Sequence, residues 1–327
     1  MFNLFLLFSI AFNTLGLSGA AIKVDSGLIS RSAGDASVAN AETLKVDLPD
    51  ILSYPTVDQD ATKPKIYAKN YILLDSDSGA ILASQKPYER VPVASTTKIM
   101  TAIVALENYS LDDLATVQQD AVTTVSNGGA IPDFYTGEKM TIRNLLWCML
   151  MNSSNVAAYT LAEHMNSKND TGPRKFITLM NQKAKDLGLK DSDFHDPAGL
   201  DGTGYSTAYD LTLATKQAMR NPLFAQMVGT KQATVYDNSG RYIHQLNNSN
   251  RLVNDWDYPG AIGVKTGYMP YDAENLGAGH CLVASVRRSG HTLISVILNT
   301  TENSATASAT ESKKLQDWGW QNISWDS

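Results

Sequence analysis

The sequence has few cysteines and histidines, and neither type is spaced as in a metal site. Its two cysteines, Cys148 and Cys281, each lie in an apolar run, where a free thiol usually behaves as a small buried hydrophobe. The five histidines form no His-x-His pair and no His-Glu-x-x-His string, which disfavours a zinc peptidase. A Gly-x-Ser-x-Gly string is also missing, which disfavours a Ser-His-Asp hydrolase. We expect both thiols to be free.

Dense runs of lysine or arginine are absent as well. The 327 residues carry 27 Lys and Arg against 33 Asp and Glu, for a formal net charge of −6. Without a basic patch, neither nucleic acid nor an anionic membrane surface is expected as the main partner. With 43% hydrophobic residues, the chain is long enough for one large or two small domains.

The N-terminal region contains an apolar segment, residues 2–22, that ends in small residues. This pattern predicts a signal peptide over residues 1–21, with cleavage after Ala20 or Ala21. Because no positive residues precede the apolar run, an N-terminal membrane tether is the alternative. Residues 22–65 are rich in Ser, Asp, Ala and Pro without periodicity, which predicts a flexible linker. The protein is expected to be extracytoplasmic, in the cell envelope or secreted.

A single folded domain is predicted over residues 66–322, followed by a short tail at 323–327. Two β-rich runs surround the turn signal at residues 75–79, and Ile99, Ile103 and Leu106 have helical spacing. Residues 110–250 are mainly helical in pattern, strands follow from residue 261, and an amphipathic helix ends the domain. Strands at both ends with helices between them predict an antiparallel sheet packed against helices.

Several helix ends are indicated by capping residues. Thr141 precedes an apolar helical run, and Gly188 follows another at its C-terminal end. Thr207 and Asp210 are spaced as in a capping box, with Asp replacing the usual Glu.

Three short strings carry the chemistry: Ser95-Thr96-Thr97-Lys98, Ser153-Ser154-Asn155 and Lys265-Thr266-Gly267. A helix that begins at Ser95 places Lys98 one turn later on the same face, so that the amine reaches the hydroxyl. A serine needs such a base to act as a nucleophile, and burial or a second nearby cation lowers a lysine pKa. Each string alone also fits an ordinary structural role, such as a helix cap, a solvated lysine or a strand end. The occurrence of all three in this order favours a catalytic site.

An oxyanion hole is predicted from two backbone N–H groups. The N–H of Ser95 lies at a helix start, and the N–H of Tyr268 follows the third string. Lys265 and the Thr266 hydroxyl would then meet an anionic group of the substrate.

The three strings in this order resemble those of the serine D-Ala-D-Ala carboxypeptidases, which are low-molecular-mass penicillin-binding proteins of peptidase family S11. The similarity extends over about residues 66–322. It includes a Pro-x-Gly-Leu segment with Tyr-Ser-Thr-Ala in residues 194–211 and the closing strands after residue 262. The resemblance implies the α+β DD-peptidase/β-lactamase fold, with a five-stranded antiparallel sheet flanked by helices and a mainly helical subdomain at about 110–250.

The resemblance also implies an activity and roles for named residues. Ser95 would be acylated by the penultimate D-Ala of a peptidoglycan stem peptide, with Lys98 as general base. Ser153 and Asn155 would relay protons and hold the peptide amide, while Lys265, Thr266 and Gly267 would orient the substrate carboxylate. β-Lactam antibiotics would be covalent inhibitors, and no metal or organic cofactor is implied.

Several departures from the family pattern are visible, including a stretch between Tyr268 and Cys281 that is several residues longer than usual. Ser154 stands where Gly is common. Many relatives carry an Arg before the last helix that binds the terminal carboxylate, whereas no Arg follows Arg288 here. Either Arg287 or Arg288 substitutes for it, or Lys265 and Thr266 make that contact alone.

Two other functions are carried as alternatives. A class A-like β-lactamase shares the fold and the acyl-enzyme step, but no Glu-x-x-Leu-Asn string is present to activate the deacylating water. A non-catalytic wall-binding or penicillin-binding homologue is the second alternative, motivated by the missing Arg and by the longer stretch between Tyr268 and Cys281.

Overall fold

The computed structural model describes residues 54–165, 172–271 and 277–325. The predicted signal peptide or tether, and most of the predicted linker, lie outside these residues. Among the helices of the described ranges, none is both long and apolar enough to cross a bilayer.

A five-stranded antiparallel sheet forms the centre of the fold, as predicted. The strands of the chain are β1 (Pro55–Val57), β2 (Ala68–Asp75), β3 (Ile81–Gln85), β4 (Leu114–Thr116), β5 (Lys139–Thr141), β6 (Gln232–Tyr236), β7 (Ile243–Asn247), β8 (Ala261–Met269), β9 (Gly279–Arg288), β10 (His291–Thr300) and β11 (Ile323–Trp325). The central sheet has the order β3-β2-β10-β9-β8, so strands from both ends of the domain are neighbours.

Helices cover both faces of this sheet. They are α1 (Lys98–Asn108), α2 (Gln119–Asn127), α3 (Ile142–Met151), α4 (Asn155–Glu163), α5 (Arg174–Asp186), α6 (Ala208–Met219), α7 (Pro222–Gly229) and α8 (Ala307–Asn322). Successive residues of a strand point to opposite faces. Leu73 of β2 therefore joins the cluster with Leu315 and Trp318 of α8, whereas Ile72 and Leu74 join the larger cluster of the other helices.

Helix α1 lies at the centre of that larger cluster. It packs against α3, α4, α5 and α6, and its residues from Lys98 to Ala105 are all buried. The predicted apolar residues Ile99 and Ile103 are in this buried set. A rigid, enclosed helix is a suitable support for chemistry at its N-terminal end.

The turn and capping signals are largely confirmed. The Asp75 carboxylate accepts hydrogen bonds from the backbone N–H and hydroxyl of Ser78 in the β2–β3 turn. Thr141 caps α3, and the N–H of Gly188 closes the end of α5. The capping box is only half formed. Thr207 accepts from the N–H of Asp210, but the Asp210 carboxylate turns away to accept from Asp191 and Ser192.

The predicted domain boundaries need two corrections. Strand β1, inside the predicted linker, pairs with β11, inside the predicted tail. Paired structure therefore includes residues before Ile66, because β1 and β11, far apart in sequence, complete each other's backbone hydrogen bonds. The region predicted as mainly helical also contains two small antiparallel pairs, β4 with β5 and β6 with β7.

Candidate active site

Ser95 lies in a short 3₁₀ turn, Ala94–Thr97, that leads directly into helix α1. The Thr96 hydroxyl donates to the carbonyl of Val93 at 2.7 Å, which closes this turn. Lys98 begins α1 three residues after Ser95 and points to the same side. The sequence prediction placed Ser95 at the helix start, and the structure places it in the tighter turn just before that start.

Lys98 is completely buried and has three oxygen neighbours. Its Nζ lies 2.7 Å from the Ser95 Oγ, 2.8 Å from the Asn155 Oδ1 and 2.7 Å from the Ala198 carbonyl oxygen. Burial lowers the pKa of Lys98 to about 7, although the nearby carboxylates of Asp196 and Asp133 raise it. A large fraction of this amine is therefore neutral near pH 7, with a lone pair beside the Ser95 hydroxyl.

The second string connects helix α3 to helix α4. Ser153 has a φ of 63°, which turns the chain sharply after α3. Ser154 caps α4 by accepting from the N–H of Ala157 at 3.0 Å, and its hydroxyl donates to Asp133 at 2.8 Å. This geometry aims the first residue of α4, Asn155, at Lys98.

Strand β8 passes against the 3₁₀ turn at Gly267. A Cβ atom at Gly267 would lie 3.0 Å from the Val93 carbonyl oxygen and 3.2 Å from the Ser95 nitrogen. A larger residue would therefore separate β8 from Ser95. This close approach brings the backbone of Tyr268 into the neighbourhood of the Ser95 N–H.

Lys265 and Thr266 lie on the same strand. Lys265 is buried, and its Nζ donates to the Thr266 carbonyl at 3.1 Å. Burial lowers the pKa of Lys265 well below its usual value, and the charge of Lys98 lowers it further. The Thr266 hydroxyl shares a 2.7 Å hydrogen bond with the hydroxyl of Ser249.

A cavity of about 330 Å³ joins these groups. Six of the eight predicted site residues line it, and the two lysines lie buried behind it. The lining residues are Ser95, Ser153, Asn155, Ser249, Arg251, Thr266, Gly267, Tyr268, His280, Cys281, Ala305 and Ser308. Tyr268 is 49% exposed, and its ring stacks on that of His280 at 4.2 Å. Residues from three distant strings therefore surround one opening.

Sequence reasoning missed the loop that supplies the third neighbour of Lys98. The Asp196 carboxylate accepts from the N–H groups of Ala198 and Gly199, both at 2.6 Å, and of Asp201 at 2.7 Å. These bonds fix the orientation of the Ala198 carbonyl. The Pro-x-Gly-Leu segment was noted only as part of the resemblance, without a role for Asp196 or Ala198.

The sequence also did not reveal which arginine lies at the Ser95 cavity. Arg251 lines the Ser95 cavity, whereas neither arginine named from the sequence does so. Arg287 lines a different cavity with Lys216. The Arg288 guanidinium stacks on Tyr258 and donates to the carbonyl of Pro259.

The two thiols are free and buried, in agreement with the sequence prediction. Burial raises the pKa of Cys281 to about 12, and it raises the pKa of Cys148 well above its usual value. Both are therefore poor nucleophiles at neutral pH. Within the described ranges, no group of three or more His, Cys, Asp or Glu side chains is arranged to hold a metal ion.

The comparison with protein families gives one match over most of the chain. The family model described as D-alanyl-D-alanine carboxypeptidase, peptidase S11, matches residues 57–302. The resemblance stated from the three strings is thereby confirmed.

Curated relatives carry the same description. The D-alanyl-D-alanine carboxypeptidase of Streptomyces sp. (strain K15) is 34% identical over 269 residues, covering 79% of this chain and 89% of the relative. The D-alanyl-D-alanine carboxypeptidase DacF of Bacillus subtilis (strain 168) is 34% identical over 235 residues, covering 70% of this chain. The match spans only 57% of the length of DacF.

Solved structures confirm the fold. The crystal structure of the Streptomyces K15 DD-transpeptidase superposes with a TM-score of 0.72 at 33% identity, covering 80% of this chain and 99% of that one. A putative penicillin-binding protein homologue from Mycobacterium tuberculosis, in an evolved form, gives a TM-score of 0.69 at 29% identity, covering 81% and 96%.

Proposed function

Because this chain belongs to the D-alanyl-D-alanine carboxypeptidase family of serine peptidases, we propose that it removes the terminal D-Ala from peptidoglycan stem peptides. The reaction proceeds through an acyl-enzyme on Ser95. One observation carries the proposal: the buried Lys98 Nζ lies 2.7 Å from the Ser95 Oγ. The protein acts outside the cytoplasm, in the cell envelope, because its substrate is there.

Lys98 is the general base in this mechanism. A neutral amine has two N–H donors and one lone pair. The two donors match the oxygens of Asn155 and Ala198, which leaves the lone pair for the hydroxyl proton of Ser95. The Ser95 Oγ then attacks the carbonyl carbon of the penultimate D-Ala, and the proton moves to Lys98.

Different groups stabilise the oxyanion and protonate the leaving group. The N–H groups of Ser95 and Tyr268 donate to the carbonyl oxygen as it becomes negative. The C–N bond breaks, and the departing D-Ala nitrogen takes the proton from Lys98 through the Ser153 hydroxyl. Asn155 holds Lys98 and the substrate amide in position.

Deacylation repeats these steps with water. A water molecule gives a proton to Lys98 and attacks the ester carbonyl, and the Ser95 Oγ leaves and regains its proton. The shortened peptide departs with a new carboxylate. A β-lactam acylates Ser95 in the same way, so penicillin is expected to form a stable covalent adduct.

Mass spectrometry of the purified protein tests this function. Wild-type protein is incubated with a pentapeptide ending in D-Ala-D-Ala, and separately with penicillin. We expect release of one D-Ala per peptide and a penicillin adduct on Ser95, and Ser95→Ala should lose both. Ser126→Ala, an exposed serine on α2, is the matched control and should retain both.

Further assays on the same protein distinguish the alternatives. Rapid hydrolysis of added nitrocefin without D-Ala release from the pentapeptide would indicate a β-lactamase. Absence of any penicillin adduct on folded protein would indicate a non-catalytic wall-binding homologue. Transfer of the acyl group to an added amine measures transpeptidation.

A further inference from the structure

A second cavity opens beside the central sheet, away from Ser95. Its volume is about 360 Å³, within the range of roughly 300–1,000 Å³ that is typical of small-molecule sites. On β9, Ser285 lines this second cavity and Cys281 lines the Ser95 cavity, and four residues of a strand span about 13 Å. Among the described residues, none lines both cavities. The second cavity is therefore separate from the candidate active site.

Three basic side chains line this second cavity. Lys216 lies in the last turn of α6, and Arg220 follows four residues later on the same side of the helix. Arg287 approaches from β9. In the part of the chain that the structure describes, none of the three forms an ion pair with a carboxylate. Arg220 makes one long contact, 3.4 Å from its Nη1 to the Oε1 of Gln217. The cavity therefore has a positive wall on two sides.

A buried hydroxyl lies at the floor of the second cavity. Ser285 is 1% exposed, and its Oγ has no hydrogen-bond partner among the described residues. A buried hydroxyl without a partner costs free energy, and such groups are rare in folded proteins. Ser285 precedes Arg287 by two residues on β9, and alternate residues of a strand face the same side. The free hydroxyl and the guanidinium therefore face the same space.

The other walls of the second cavity favour a ligand with more than one negative charge. Met219, Ile262 and Ile294 are apolar, and an apolar surrounding strengthens interactions between charges. Asp77, in the turn between β2 and β3, is the one carboxylate among the described lining residues. It offsets one of the three cationic side chains, and two positive charges remain for a ligand.

We propose that this second cavity binds a phosphoryl group, either free phosphate or the phosphate of an ester. Its cations come from α6 on one side and from β9 on the other, and the tetrahedral oxygens of a phosphate accept from several directions at once. The guanidinium of Arg287 donates paired hydrogen bonds, Lys216 acts as a point charge, and the Ser285 hydroxyl donates to a further oxygen. Binding here does not require the peptidase activity, because these three residues lie outside the Ser95 cavity.

Isothermal titration calorimetry of the full chain with inorganic phosphate, at constant ionic strength, tests the site. Arg287→Gln should raise Kd about 10- to 100-fold, the range for losing a charge-assisted hydrogen bond. Ser285→Ala should raise Kd about tenfold without lowering the free energy of unfolding, because the hydroxyl it removes has no partner in the described protein. Arg174→Gln, at an exposed position on α5, is the matched control and should keep the wild-type Kd.

Asp77→Asn tests the sign of the electrostatic effect. This substitution removes the carboxylate that repels an anion in the cavity, so phosphate should bind about fivefold more tightly. Structural damage to the β2–β3 turn would weaken binding instead. An unchanged or weaker affinity in folded Asp77→Asn would contradict the proposed position of the ligand.

Glycerol 3-phosphate is the second probe in the same titrations. Tighter binding of this ester than of inorganic phosphate supports a phosphate ester as the ligand, and the reverse order supports free phosphate. Circular dichroism verifies the fold of each variant. If wild type binds neither probe at millimolar concentration, or if folded Arg287→Gln and Ser285→Ala both keep the wild-type Kd, the inference is overturned. The D-Ala release and penicillin assays are separate, so this result leaves the proposed function as it stands.

Discussion

The Lys98 amine donates a hydrogen bond to the carbonyl oxygen of Ala198 at 2.7 Å. This contact joins the start of helix α1 to a loop that the Asp196 carboxylate holds through three backbone N–H groups. The position of the general base therefore depends on a residue that never touches the nucleophile.

Ser95 acylation should depend on the protonation of Lys98. Because burial lowers the pKa of Lys98 to about 7, the amine is protonated and inactive as a base below that pH and neutral above it. We expect the rate of penicillin acylation to rise with pH and to level off above about 7. Stopped-flow or quenched mass spectrometry across this range measures it. Lys98→Ala should lose at least about 10²-fold in rate, and a pH-independent wild-type rate would contradict the assignment.

Asp196→Asn should move the midpoint of this pH profile to lower pH. Removing the carboxylate removes a charge that favours protonated Lys98, so the pKa of Lys98 falls further. The plateau rate should also drop, by about tenfold, because the amide no longer accepts equally well from the loop N–H groups. Asp186→Asn, at an exposed position on α5, is the control. A merely structural role for Asp196 would lower the rate without moving the midpoint.

Gly199→Ala should lower both the unfolding free energy and the acylation rate. Gly199 has a φ of +75°, and a Cβ there would lie 2.0 Å from the carbonyl oxygen of Ala94, next to Ser95. Gly188→Ala provides a matched comparison, since Gly188 has a φ of +72° but no neighbour within 4 Å. Backbone strain costs about 1–3 kcal/mol at either position. Chemical denaturation should show a clearly larger loss for Gly199→Ala, and equal losses would argue against the close approach.

Ser154→Ala should destabilise the fold with little effect on chemistry. The substitution removes the cap of α4 and the hydrogen bond to Asp133, at a cost of about 1 kcal/mol. Exposed Ser126→Ala should change the unfolding free energy by less than about 0.5 kcal/mol. Thermal and denaturant unfolding measure the loss of stability. The acylation rate, measured under conditions where the variant is fully folded, measures any separate effect on the chemistry. A loss of acylation larger than that of Lys98→Ala would show that Ser154 takes part in the reaction.

Local features of the fold were predictable because neighbours in sequence decide them. The Asp75–Ser78 turn, the Thr141 cap and the apolar face of α1 depend on contacts within a few residues. The Thr207–Asp210 box formed only partly, because Asp191 and Ser192 compete for the Asp210 carboxylate from another segment.

The amino-acid sequence by itself determined which residue types carry the chemistry, their order along the chain, and the antiparallel α+β class. Only the tertiary structure decided which groups meet. Asn155 and Ala198 reach Lys98 across 57 and 100 residues, β1 pairs with β11 across the whole domain, and Arg251 rather than Arg287 or Arg288 lines the cavity. Such contacts are fixed by packing between distant segments, which no local pattern of side chains records.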